Sequence, residues 1–340
     1  MLTVLRHPTD QGFTSACRVA TGRSAILHMA RRWKPDKVFM PSYVPEGIIN
    51  PFIESRAQII FYKLTDTLAP ALMDLREKVI TATSRSIVVA IEYFGYPACY
   101  GALRGELPGF EGLVFVDCAH SLFSHPYYDV KLSVFNKVIA VTDGAAIYSR
   151  VPELDLTLDD RALPQIPTEA LNAYEDHLRA NGTITTSEEA SDVEVAVLES
   201  AMSYEKYYQI ISKNMEPWAQ SSASRIIEGA TDWSTLARQR KRKSEMIRHS
   251  TPKRMSIRHD TPAQFAHPIR CHGRREEMVD ALSNIGVVAG ALNERWDHIP
   301  SDRGFDFERE FIDDHLLLPT GEDVDVMQLM KICSTLKKFK

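Results

Sequence analysis

The sequence predicts a three-layer α/β protein built on a mainly parallel central sheet, followed by a smaller C-terminal α+β domain. Three observations lead there. Short apolar runs without polar alternation recur at 37–40, 58–62, 86–91, 113–116 and 138–141, which is the pattern of strands buried on both faces. Segments with helical spacing stand between the first of them, as parallel connections require. Beyond 265 the pattern changes to a strand-like start, a helix, the apolar run HLLLP at 315–319 and a closing helix.

Taken in order, residues 24–33 (SAILHMARRW) put Ile26, Met29, Ala30 and Trp33 on one side of a helix. The run KVFM at 37–40 reads as a strand stopped by Pro41. Residues 46–55 read as a helix, and 58–62 (QIIFY), 86–91 (SIVVAI), 113–116 and 138–141 as strands. The acidic, proline-bearing stretch 152–167 reads as a linker. Residues 168–180 and 193–213 form two helices joined by the polar loop NGTITTSEEASD, and 233–249 form a strongly basic helix. After 268 come a helix at 274–285, a loop with Trp296, the strand 315–319 and a helix at 324–338. This divides the chain into most of a large domain at 1–165, a helical connection with the remainder between domains at 166–265, and a small α+β domain at 266–340.

At 340 residues, 44% of them hydrophobic, the chain can bury a large core and split into two domains. Forty basic against 45 acidic side chains leave a net charge of −5, so nothing draws the whole molecule towards nucleic acid or anionic membranes. The five cysteines lack metal-like spacing and suit a reduced, cytoplasmic protein. No apolar h-region opens the chain and no run of about 18 apolar residues occurs, so neither a signal peptide nor a membrane span is expected. The basic run 238–258 reads as a solvated helix face, since Leu236, Met246 and Ile247 supply a buried side; some of its arginines could meet a substrate diphosphate.

The stretch 114–147 organises the chemistry. Asp117 closes an apolar strand, His120 follows three residues on, and Lys137 sits between the apolar runs SVF and VIAV. A carboxylate at the end of a buried strand needs a cation, and a lysine in an apolar pocket needs a neutral or covalently engaged amine. A pyridoxal phosphate site uses both, with the acid on the protonated ring nitrogen and the lysine in a Schiff base. Lys131, in a more polar stretch, is expected to be exposed. Upstream, Thr21-Gly22-Arg23-Ser24 precedes the first helix, where free amides and the helix dipole suit a phosphate, or simply cap the helix. Tyr43, after the second strand, either stacks on a flat ring or packs in the core. The segment Glu92-Tyr93-Phe94-Gly95 suits a cofactor wall or the core equally well.

In this order, TGRSA, PSYVP, YFGYPA, VDCAHS, SVFNKVIAVTDGAAI and HLLLP resemble the motifs of the DegT/DnrJ/EryC1/StrS sugar aminotransferases, enzymes of the pyridoxal phosphate-dependent transferase fold type I. The resemblance implies that Asp117 pairs with the pyridinium nitrogen, His120 meets the ring-hydroxyl side and Lys137 forms the Schiff base. Gly22, Arg23 and Ser24, with Ser133, are implied to hold the phosphate, Tyr43 to contact the cofactor, and Tyr93 and Arg225 to bind substrate. It further implies transfer of an amino group from glutamate to a nucleotide-linked keto-sugar by a homodimer, with no metal. The sequence departs from the family at Ser133-Val134-Phe135-Asn136 before the lysine, at TDGAA after it, and at Ala223-Ser224-Arg225, which stands for Asn-x-Arg. A related sugar dehydratase, in which histidine replaces the lysine, and a non-catalytic relative are the competing readings.

Overall fold

The structure, a computed structural model, describes residues 13–98, 103–122, 128–187, 189–257, 263, 265–291, 300, 304–322 and 324–339. Cys99 and the loop with Trp296 lie outside the described residues.

The first half builds one sheet from β1 (Ser15–Val19), α1 (Gly22–Trp33), β2 (Lys37–Pro41), α2 (Glu46–Glu54), β3 (Gln58–Tyr62), α3 (Leu72–Val79), β4 (Ile87–Ile91), β5 (Leu113–Asp117), β6 (Val130–Val134) and β7 (Ala145–Ser149). The order across it is β1-β7-β6-β5-β4-β2-β3. The strands from β3 to β6 run parallel, and β7 opposes both β6 and β1. Every residue of β4 and of β5 is buried, as the unbroken apolar runs require of central strands covered on both faces. The three-layer, mainly parallel α/β expectation is met.

Residues 138–141 do not form the expected strand. Phe135–Lys137 wind into a 3₁₀ turn, and the amides of Val138 and Ile139 both donate to the Phe135 carbonyl at 2.9 Å. The apolar side chains there serve a cluster with Phe135, Trp233 and Leu236 instead of the sheet. The strands lie on either side, as β6 and β7.

The second half continues with α4 (Thr168–Thr186), α5 (Ala190–Lys213), α6 (Ser222–Ala230), α7 (Trp233–Ser250), β8 (Ala266–Arg270), α8 (Arg275–Ser283), α9 (Asp306–Asp314), β9 (His315–Pro319) and α10 (Val326–Leu336). Much of the expected polar loop between α4 and α5 is helix. Asn181 continues α4, where it bonds His177 at 3.1 Å and accepts from Ser200 of α5 at 2.9 Å. β8 and β9 form a separate antiparallel pair. Ile269, Leu316, Leu318, Leu329 and Ile332 build a second core there, which also takes in Ile247 of α7 and Met255. Among the described residues no helix is long and apolar enough to cross a membrane.

Candidate active site

The ends of β5 and β6, the N-terminus of α1 and one face of the α4–α5 hairpin surround a cavity of about 500 Å³. This is the C-terminal edge of the parallel strands, where open α/β sheets place ligands.

Asp117 is the last residue of β5 and is 5% exposed. Its Oδ1 accepts the Ala119 amide at 2.8 Å. Burial raises its carboxyl above the ordinary range, while the charge of Lys137 and the Ala119 amide act the other way. Lys137 ends the 3₁₀ turn after β6 and lines the same cavity. Burial pushes its ammonium below the usual lysine value, and Asp117 opposes that shift. Each group thus loses water and keeps the other as its compensating charge.

His120 stands behind Lys137, outside the cavity wall, with Nε2 3.4 Å from the lysine Nζ. Burial first, and then the charge of Lys137, hold its imidazole well below the usual histidine value, so it is neutral. The Phe94 amide donates to Nδ1 at 3.4 Å.

Thr21 caps α1, its Oγ1 accepting the Ser24 amide at 3.3 Å. The next amides, of Gly22 and Arg23, belong to the first helical turn and have no intrahelical acceptor. A Cβ on Gly22 would come within 2.9 Å of Val134 Cγ2, so only glycine brings this backbone so close to β6. Arg23, 6% exposed, lies at the cavity wall. Its Nη1 donates to Ser212 Oγ at 2.7 Å, and its guanidinium lies 4.6 Å from the centre of the Tyr208 ring.

Asp117, Lys137, Gly22 and Arg23 therefore share one cavity, with His120 immediately behind; the other proposed contacts sit elsewhere. Ser24 Oγ is within 2.7 Å of Thr21 Oγ1 and donates to the Glu216 carbonyl at 3.2 Å, away from the cavity. Ser133 lies on β6 between the cavity-lining Leu132 and Val134, so the pleat turns it to the opposite face. Tyr43 and Tyr93 are stacked on each other at 5.3 Å in the core, beside Phe311. Arg225 is on α6 and does not line the cavity. Lys131 is not exposed: it is 1% accessible, its Nζ 4.9 Å from the Tyr148 ring centre and 5.5 Å from that of Phe13.

The sequence reading missed the second wall. Tyr174 of α4 and Tyr204, Glu205, Tyr207 and Tyr208 of α5 face the floor across the cavity. Their signal was the spacing of Tyr204, Tyr207, Tyr208 and Ile211, which puts an aromatic face on one helix.

No protein-family model matches the sequence, and no curated protein is detectably similar to it. The fold is similar to solved aminotransferases. With the sugar aminotransferase CalS13 from Micromonospora echinospora the TM-score is 0.65 at 15% identity, covering 96% of this chain and 88% of that one. With a DegT DnrJ EryC1 StrS aminotransferase from Brucella abortus it is 0.66 at 14% identity, covering 96% and 86%. With PseC from Helicobacter pylori, an aminotransferase involved in the biosynthesis of pseudoaminic acid, it is 0.64 at 11% identity, covering 96% and 87%. The chain has the fold of these enzymes over nearly its whole length.

Proposed function

We propose that the chain is a pyridoxal 5'-phosphate-dependent aminotransferase that moves an amino group from glutamate to a nucleotide-linked keto-sugar. The observation that carries this reading is Lys137, a desolvated amine sharing one cavity with the buried carboxylate Asp117.

The residues fit the cofactor. The Gly22 and Arg23 amides and the Arg23 guanidinium make an anion cradle that a Cβ on Gly22 would disturb, suited to a phosphate. Asp117 has the charge and burial to keep a heteroaromatic nitrogen protonated. Lys137 would hold the group covalently through Nζ. When bound, pyridoxal phosphate supplies a ring that accepts electrons and a carbon that carries the amino group from donor to acceptor. The chain's own part is then largely proton transfer and positioning. Lys137 Nζ, with its ammonium disfavoured by burial, takes a proton from one carbon and returns it to another. His120 acts on that amine from behind, and Asp117 holds the compensating charge. Tyr174, Tyr204, Tyr207 and Tyr208 line the cavity and offer ring faces to a sugar.

The reading extends to a cytoplasmic homodimer. An exposed apolar stripe on α5 supports the dimer: Val195, Leu198 and Met202 are 54, 65 and 73% accessible and recur at helical spacing. Light scattering giving a monomer mass at micromolar concentration would remove that part of the proposal.

The decisive experiment adds pyridoxal phosphate to purified protein. A visible absorption band is expected, fixed by borohydride as a mass adduct on Lys137 and discharged by glutamate. Lys137→Ala should show none of these. Protein that stays colourless overturns the reading, and colour without response to any amino donor favours a binding-only role.

A further inference from the structure

Two aromatic rings lie nearly parallel to the His120 imidazole. Phe265 stacks on it, centroids 4.2 Å apart and planes within 5°; the Phe94 ring is further away, at 6.1 Å and 14°. Phe94 belongs to the segment after β4, whereas Phe265 comes from the chain leading into β8. The Phe265 amide donates to the Phe94 carbonyl at 3.0 Å, and Thr320 Oγ1, just past β9, donates to the Phe265 carbonyl at 3.0 Å. The ring on His120 is thus tied both to the segment after β4 and to the two-stranded unit, and it packs against the core of the large sheet.

The edges of the imidazole are equally determined. Phe94 is left-handed, at φ 56° and ψ 14°, a conformation that a non-glycine residue adopts at a cost. It is this turn that points the Phe94 amide at Nδ1. A neutral imidazole that accepts at Nδ1 carries its hydrogen on Nε2, the atom facing Lys137. An Nε2–H donor needs a lone pair on Nζ, which the amine has and the ammonium lacks.

We infer that Phe265 is a positioning residue for the Lys137 amine, its ring clamping His120 so that Nε2–H points at Nζ. This rests on the aminotransferase reading only for its catalytic consequence; the clamp and the tautomer belong to the chain without cofactor. Among the described residues, the titratable group facing His120 is Lys137, on which Asp117 acts in turn; Phe94 and Phe265 bring only rings and backbone.

The experiment is nitrogen-15 NMR of histidine-labelled protein without cofactor, with His120→Gln identifying the His120 signals. Wild type is expected to show a single neutral tautomer with hydrogen on Nε2. Phe265→Leu should average the tautomers, and Phe265→Trp, which keeps a flat ring, should retain the single form. In the loaded enzyme Phe265→Leu should lower kcat on the order of tenfold with little change in KM. The acid limb of its pH profile should move upward, because a less constrained amine is more readily protonated. Hydrogen on Nδ1 in wild type, a Leu variant with wild-type tautomer and pH profile, or a folded Trp variant with averaged tautomers overturns the inference. Because the tautomer is read without cofactor, failure to bind pyridoxal phosphate would sink the functional reading and leave the clamp standing.

Discussion

Tyr174 Oη donates to the backbone carbonyl of Asn136 at 2.8 Å, tying α4 to the residue immediately before Lys137. The hairpin over the cavity and the turn that carries the lysine are therefore one mechanical unit. Tyr174→Phe keeps the ring and removes the tie, at a cost of about 1 kcal/mol. The expected result is a folded protein with turnover lowered several-fold, seen as a drop in kcat with far-UV circular dichroism unchanged.

Lys131 and Lys137 are six residues apart in sequence and on opposite sides of the sheet's function. Lys131 faces Phe13 and Tyr148, and Lys137 faces the cavity. Lys137→Met should abolish borohydride-stable capture of pyridoxal phosphate, and Lys131→Met should leave it intact. Peptide mass spectrometry finding the adduct on Lys131 would show that the wrong lysine has been assigned.

Arg23→Gln should weaken pyridoxal phosphate binding by about ten- to a hundredfold, the range for losing a charged hydrogen bond. Pyridoxal without its phosphate should bind the variant and the wild type equally. Titrations with both compounds separate an anion contact from a general loss of structure.

Glu92 follows β4, is 1% exposed and accepts the Tyr128 hydroxyl at 2.6 Å. Burial pushes its carboxyl from 4.5 up to about 7, against the pull of that hydrogen bond and of Lys131. Between these values the folded chain binds more protons than the unfolded one, so this group's contribution to stability falls as pH rises through the window. The span corresponds to at most about 3 kcal/mol. The buried histidines His28, His120, His267 and His315 and the partly buried His177, with lowered values, act in the opposite sense on their own acidic flank. Urea midpoints measured from pH 5 to 8 should therefore fall more steeply in wild type than in Glu92→Gln. Parallel curves would show that Glu92 does not titrate there.

The floor of the site was legible because its signals are local. Asp117 ends an unbroken apolar strand, and Thr21 and Gly22 mark a helix start, both fixed within a few residues of sequence. Ser133 was implied to hold the phosphate by the resemblance alone, and the face of a strand residue depends on where pairing begins. Once β6 spans Val130–Val134, the pleat gives the cavity to Leu132 and Val134. Lys131 looked exposed because Tyr128 and Asp129 precede it. Those polar groups are spent on distant partners: Tyr128 on Glu92, and Asp129 on Arg104 and the Val114 amide. Tyr43 and Tyr93 had two possible destinations, core or ligand, and only the position of Phe311 shows which one they take.

The aromatic wall on α5 has a consequence for how such a protein changes over time. On the proposed reading the reacting groups sit on β5, the turn after β6 and α1, whereas the surface facing them is supplied largely by one face of one later helix. Tyr204 and Glu205 are on a different element from the pleat, the cap of α1 and the Asp117–Lys137 pair, whereas Tyr208 lies against the Arg23 guanidinium. On that reading, selection for a new acceptor can act mainly on that helix, with Arg23 and the Asp117–Lys137 pair retained.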